Sequence, residues 1–238
     1  MNRRRFLQVA ASLPLASSAA SGPFPARAEA AAFDRSIVRQ IARDAASKPF
    51  KAPDSKLPDN LKNLDYDRYR AIRFLPEQAL WRGDKLPFEV QFFHRGFFYA
   101  PRVDIYEVAN GQATRIAYRP DAFSFGGTPP PSPGADLGFA GFRLVNLEKG
   151  FGEVAAFAGA SYFRMIGRGQ KYGTSARGLA LNTTSAEGEE FPVFRQFWIQ
   201  RPDSRAQDVS MFALLDRLSS SGPIRQNASC RSTEVCNR

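Results

Sequence analysis

The sequence predicts an all-β fold preceded by one N-terminal helix, and three observations support this prediction. Aromatic residues make up 13% of the 238 residues, with 21 Phe among them, and such enrichment favours strands over helices. After residue 58 the apolar pattern repeats every two residues, which is the period of a strand. Gly- and Pro-containing turn signals separate the segments, and many short strands of this kind indicate a β-sandwich or a barrel.

The predicted helix begins near residue 33. Its apolar residues recur every four positions, with two more alongside: Phe33, Ile37, Ile41 and Ala45, then Val38 and Ala42. Asp34 and Ser36 are candidate N-terminal caps. Pro49, Pro53 and Pro58 follow, and proline ends a helix because it lacks an N–H group. A linker is therefore predicted between the helix and the strands.

The clearest predicted strand pair is a hairpin. Val103 and Ile105 alternate with polar residues, Asn110-Gly111 supplies a type I′ turn, and the alternation resumes at Thr114. Further strands are predicted near 88–93, 139–147, 154–166, 177–183, 192–200 and 208–215. The stretch 126–134 is predicted to be a loop, because its prolines cannot donate to a central ladder.

Residues 1–30 are predicted to form a twin-arginine signal peptide. Arg3-Arg4 precedes Phe6-Leu7, a mild apolar run follows, and Ala28 lies within two overlapping Ala-x-Ala cleavage patterns. A Sec signal with a basic start is the alternative. Either signal predicts a periplasmic protein, and the first makes the twin-arginine export machinery a partner. The sequence contains no stretch of 18 apolar residues, so no stable membrane anchor is predicted.

Charge and composition argue against several classes of protein. The net charge is +10, but residues 1–28 carry +4 and residues 217–238 carry +3 of it, so residues 29–216 carry only about +3. A nucleic-acid binder would concentrate this charge on its folded surface, so no nucleic-acid partner is predicted. One His and two Cys are too few for a His/Cys zinc site. We predict no metal and no cofactor.

A series of short motifs resembles a known family. In chain order these are DYDRYRAIRF (65–74), ALW (79–81), FFH (92–94), GFAGFR (138–143), GASYFR (159–164), YGTSARGL (172–179), GEEFP (188–192), FW (197–198) and ALLD (213–216). Together they resemble the osmoregulated periplasmic glucan biosynthesis family, which has branches named glucans biosynthesis proteins G and D. The twin-arginine start favours the D branch.

The resemblance implies a fold and a function. Family members are periplasmic and combine a large β-sandwich that carries a long cleft with a smaller immunoglobulin-like C-terminal domain. They act on the β-1,2-linked glucose backbone of periplasmic glucans, and some are β-1,2-glucanases. Residues 31–216 are accordingly expected to be the N-terminal part of a glucan-binding sandwich, incomplete in this chain. The family's catalytic acids are expected beyond the chain's end, so no catalytic residue is assigned and enzymatic activity stays open.

The segment after Asp216 departs from the family pattern. Residues 217–238 lack aromatic residues and contain both cysteines, Cys230 and Cys236. We expect a divergent, unstructured tail, arising either from a change of reading frame or from natural divergence. Two alternative functional hypotheses therefore stand beside glucan processing. They are a noncatalytic carbohydrate-binding β module and an inert product of a disrupted gene.

Sugar binding is the chemistry that the remaining residues favour. Sugars present apolar ring faces and hydroxyl rims, which aromatic, arginine and carboxylate side chains recognise. The candidate glucan-binding residues are Tyr162, Arg164, Tyr172, Arg177, Glu189 and Trp198. Tyr162 and Arg164 should share one face of a strand. His94 is predicted to be structural, and the glycines of 167–173 are predicted to form a hairpin turn rather than a phosphate loop.

Overall fold

The computed structural model describes residues 30–148, 152–186, 188–216 and 225–231. The predicted signal peptide lies outside the described residues except for residue 30. The α-helices of the described part are α1 (Arg35–Ala46), α2 (Asp59–Lys62) and α3 (Tyr66–Ala71). Among the described residues, no helix has the length and apolar character needed to cross a membrane.

Strands dominate the structure, as the sequence predicted. They are β1 (Ala31–Ala32), β2 (Arg73–Phe74), β3 (Phe88–Phe93), β4 (Asp104–Ala109), β5 (Gln112–Arg115), β6 (Phe123–Ser124), β7 (Gly141–Asn146), β8 (Glu153–Ala158), β9 (Tyr162–Met165), β10 (Thr174–Arg177), β11 (Val193–Gln200), β12 (Ser210–Asp216) and β13 (Arg225–Arg231). A six-stranded sheet has the order β1-β5-β4-β11-β12-β13, and a five-stranded sheet has the order β10-β9-β8-β7-β3. Strands β2 and β6 form a small third sheet.

The two larger sheets pack face to face through aromatic side chains. Phe142 of β7 meets Phe197 of β11 edge to face, with ring centroids 4.9 Å apart. Phe157 of β8 packs on the same Phe197 ring at 5.2 Å. These rings are fully buried, and burying a side chain of this size contributes about 1.5–3 kcal/mol. The alternating apolar pattern of the sequence thus becomes the interior of a sandwich.

Helix α1 covers the outer face of the six-stranded sheet. Asp34 caps it by accepting a hydrogen bond from the Ser36 backbone N–H at 2.6 Å, as predicted. Val38 and Ala42 are its buried residues, and they pack in a cluster with Phe33 and Trp198. The helix therefore buries the side of β11 that points away from the sandwich interior.

The predicted hairpin forms where the turn signal placed it. Strands β4 and β5 pair antiparallel, with Ala109 opposite Gln112. Asn110 and Gly111 have φ values of 52° and 70°, and positive φ at both central residues is what a type I′ turn requires.

Two strand predictions differ from the structure. The segment predicted as one strand over 154–166 is a hairpin, because the chain turns at Gly159, where φ is +80°. The strand predicted over 177–183 lies earlier, at Thr174–Arg177, and pairs with β9. The glycines of 167–173 therefore lie in the turn of a β-hairpin, as predicted.

A buried arginine binds the linker after α1 to the sandwich. The Arg95 side chain is 1% exposed. It donates to the backbone carbonyls of Ala100, Leu137, Asp54 and Lys56 and forms an ion pair with the Asp54 carboxylate at 3.6 Å. Because two of these carbonyls belong to the linker, Arg95 holds that segment against the strands.

Part of the predicted tail is a strand. Residues 217–238 were expected to be unstructured, but Arg225–Arg231 pairs antiparallel with β12, with Ala228 opposite Ala213. The expectation is wrong for this segment, since the free edge of β12 offers unpaired N–H and C=O groups to a following segment. The remaining residues of the tail lie outside the described part of the chain.

Candidate functional site

The outward surface of the five-stranded sheet, here called the polar face, carries the candidate site. In β9, Phe163 and Met165 pack against the interior cluster, whereas Tyr162 and Arg164 are exposed. Successive side chains of a strand point to opposite faces, so Tyr162 and Arg164 share the polar face, as the sequence predicted.

One residue from each of the five strands forms a row across the polar face, and two small residues of this row lie between two aromatic ones. Phe93 pairs with Gly141, Gly141 pairs with Ala158, and Tyr162 pairs with Arg177. Ala158 and Tyr162 are next in register after the pair Phe157–Phe163. The row spans five strands spaced about 4.8 Å apart, a length of about 19 Å. Because only Gly141 and Ala158 lie between the rings of Phe93 and Tyr162, over about 14 Å, we infer a shallow trough there and use this name for the whole row.

A network of charged and amide side chains runs beside the trough. It comprises Arg82, Glu89, Gln91, Arg143, Glu153 and Arg164, joined in that order by hydrogen bonds and ion pairs. Arg143 donates to Gln91 Oε1 from Nε at 2.9 Å and from Nη2 at 2.6 Å. It also lies 3.6 Å from Glu153, which pairs with Arg164. The network fixes the orientation of polar groups along one side of the trough.

Three predicted site residues meet at the β9–β10 end of the trough. The Tyr162 side chain is 43% exposed and stacks on Phe191 with a centroid separation of 6.3 Å. The Arg177 guanidinium lies 5.7 Å from the Tyr162 ring centroid and pairs with Glu189. Arg164 lies two residues beyond Tyr162 along β9 and pairs with Ser175 of β10. The arrangement places an aromatic face beside oriented hydrogen-bonding groups.

Two predicted residues lie outside this cluster. Tyr172 is 87% exposed in the turn between β9 and β10, where no ring contact orients it among the described residues. Trp198 is 3% exposed, because it stacks on Phe33 at 6.0 Å and on Tyr106 at 5.5 Å beneath helix α1. Trp198 is therefore a packing residue of the opposite sheet, and we remove it from the candidate site.

The sequence interpretation missed Phe191 and most of the charged network. Phe191 precedes β11 by two residues and is half exposed, so no strand periodicity identified it. Glu89 and Gln91 alternate with Phe88, Val90 and Phe92 in the sequence. This alternation could have predicted the part of the network that they form. Polar residues at every second position of such an apolar strand mark a face that needs partners.

His94 is a buried structural residue. Its Nδ1 lies 2.6 Å from the Arg95 carbonyl and its Nε2 lies 2.7 Å from the Tyr118 hydroxyl. Because a carbonyl only accepts, Nδ1 carries the proton and donates, and Nε2 accepts from Tyr118. Burial lowers the pKa of His94 to about 4, although its hydrogen bond to Arg95 opposes this shift. The imidazole is therefore neutral near pH 7, in line with the structural role predicted for it.

His94 should make folding sensitive to acid. The unfolded chain protonates this residue near pH 6.5, whereas the folded chain does so only near pH 4. The free energy of unfolding should thus fall by about 3 kcal/mol as the pH drops from about 6.5 to about 4. Urea unfolding across this range measures the slope, and His94→Gln, which removes the chain's one histidine, should flatten it. Equal slopes for both proteins would contradict the assignment.

Comparison with known proteins identifies the family. The model of the family described as periplasmic glucan biosynthesis protein, MdoG, matches residues 33–237. The chain belongs to the MdoG family. The match includes the segment after Asp216, which we expected to depart from the family pattern. It also agrees with the motif resemblance found in the sequence.

Several known proteins are similar in sequence to most of this chain. Glucans biosynthesis protein G of Rhodopseudomonas palustris (strain BisA53) is 57% identical over 232 residues, covering 94% of this chain and 46% of its own length. The protein of the same name from Bradyrhizobium diazoefficiens is 53% identical, covering 94% and 45%. That of Vibrio cholerae (strain O395) is 43% identical, covering 83% and 37%. The chain thus spans about half the length of the first two relatives. All three relatives are named G, whereas the sequence predicted the D branch.

Proposed function

We propose that this chain binds the β-1,2-linked glucose backbone of periplasmic glucans along the trough of the five-stranded sheet. The observation that carries the proposal is the cluster at the β9–β10 end, where the Tyr162 ring is half exposed and stacked on Phe191. Membership of a family of periplasmic glucan biosynthesis proteins supports glucan as the ligand. A role in the periplasm after twin-arginine export is part of the same proposal.

The chemistry of the trough suits an oligosaccharide. A sugar ring can stack on the exposed face of Tyr162, because apolar C–H groups pack well on an aromatic surface. Its hydroxyl groups can then bond to Arg177 and Glu189, which already pair with each other and are therefore oriented. The length of about 19 Å, from five strands at their usual spacing, accommodates several rings in a row. Arg164 would contact the chain from the side.

Calorimetric titration with linear β-1,2-gluco-oligosaccharides tests this proposal. Tyr162→Ala should weaken binding about tenfold, since it removes the stacking surface. Tyr162→Phe keeps the ring and should bind within about twofold of the unsubstituted chain. Both variants change a side chain that is partly exposed, so folding should be preserved and is checked by circular dichroism.

A matched control is Tyr66→Ala. Tyr66 is 59% exposed and also contacts a phenylalanine ring, Phe97, at 6.4 Å, but it lies on helix α3. We expect this variant to bind the oligosaccharides unchanged. Equal weakening by Tyr162→Ala and Tyr66→Ala, or no effect of either, would refute the trough as the binding site.

A further inference from the structure

A groove of about 640 Å³ opens at the β3 end of the polar face. It lies between β3 and the segment that runs from α3 into β2. Tyr69 and Phe93 contribute aromatic surface to its wall, and three arginines line it: Arg70, Arg73 and Arg143. Within the described part of the chain, no Asp or Glu side chain belongs to this lining.

The groove has an unbalanced positive charge. Arg143 is engaged by Gln91 and Glu153. Arg70 and Arg73 are exposed, and within the described ranges neither guanidinium takes part in an ion pair. His94 also lines the groove, but burial lowers its pKa to about 4 and keeps it neutral. Two unengaged guanidinium groups beside an apolar wall favour a ligand with an anionic group.

The groove adjoins the β3 end of the trough. Phe93 is the first residue of the trough row and also lines the groove. Arg143 belongs both to the groove and to the charged network beside the trough. A saccharide lying in the trough would therefore reach the two unengaged arginines at its β3 end.

We propose that the groove binds a phosphate or carboxylate group carried by a saccharide, with Arg70 and Arg73 as the anion-binding residues. Each guanidinium can donate two parallel hydrogen bonds to such a group. The sugar that bears the charge would pack against Tyr69 and Phe93. This proposal rests on the proposed function, since the trough would supply the rest of the saccharide chain.

Titration of the full chain with three small probes tests the groove. Glucose 6-phosphate should bind more tightly than inorganic phosphate, and glucose should bind much more weakly than either. The double variant Arg70→Gln with Arg73→Gln should weaken glucose 6-phosphate binding by at least about tenfold. Raising the ionic strength should weaken it too, since both arginines are exposed. The control Arg39→Gln removes an exposed arginine of α1 and should change nothing.

The outcomes separate this inference from the proposed function. Neutral β-1,2-gluco-oligosaccharides should bind the double variant as they bind the unsubstituted chain, because the trough is intact. Unchanged glucose 6-phosphate affinity in the double variant would overturn the anion site, whatever the result for Tyr162→Ala. Inorganic phosphate binding as tightly as glucose 6-phosphate would overturn its assignment to a saccharide.

Discussion

Replacing Arg95 by methionine is expected to lower the free energy of unfolding by about 3–5 kcal/mol. The guanidinium bonds to four backbone carbonyls, at Ala100, Leu137, Asp54 and Lys56, and methionine can donate to none of them. Burial lowers the pKa of Arg95 while Asp54 raises it, because burying the charge is costly and the nearby carboxylate offsets part of that cost. Methionine relieves that cost, but the loss of four charge-assisted hydrogen bonds outweighs it.

Chemical unfolding of the purified chain measures the Arg95 effect. The control Arg68→Met removes an arginine that is 73% exposed and pairs with Asp65 on the surface, where an ion pair contributes at most about 1 kcal/mol. Hydrogen exchange should also accelerate in the linker over residues 49–58, which Arg95 holds. Equal destabilisation by both substitutions would contradict the structural role of Arg95.

Replacing Gly141 by alanine is expected to destabilise the fold by about 3 kcal/mol or more. A Cβ at this position would lie 1.9 Å from the Phe157 carbonyl oxygen of the adjacent strand. The φ of +153° is also one that side-chain-bearing residues rarely adopt. The backbone of β8 must shift to accept the methyl group, because no side-chain rotation can relieve a clash with a carbonyl.

Gly134→Ala separates these two causes. Gly134 also has positive φ, at +82°, but a Cβ there meets nothing within 4 Å. It should cost only the backbone strain, about 1–2 kcal/mol. Thermal and urea unfolding of both variants give the comparison. A loss at Gly141 no larger than that at Gly134 would show that β7 and β8 do not approach as closely as the structure indicates.

The sequence predicted the elements whose signals are local. The α1 cap at Asp34 and the Asn110-Gly111 hairpin depend on residues close in the chain, and both appear in the structure. The 154–166 segment was wrongly predicted to be one strand, because its apolar content continues across Gly159. Only the positive φ at Gly159 reveals the turn. Helix α3 was missed although Asp65 caps it at the Arg68 N–H, because six residues are too few for a helical period to emerge.

The candidate site was predictable in part for a similar reason. The two-residue period correctly placed Tyr162 and Arg164 on one face. It could not reveal that helix α1 covers Trp198, since that contact joins residues far apart in the chain. The trough was equally hidden, because Phe93, Gly141 and Tyr162 are aligned by strand register. Register emerges from the packing of the whole sandwich rather than from any single segment.

Hydrogen exchange with and without a linear β-1,2-glucan tests glucan binding by the polar face most directly. The ligand should slow exchange in β8, β9 and β10 and in the segment around Glu189 and Phe191, which form one end of the trough. Helix α1, on the opposite side of the sandwich, should exchange at the same rate in both samples. Protection confined to α1 and the strand that carries Trp198, or no protection at saturating glucan, would contradict the assignment.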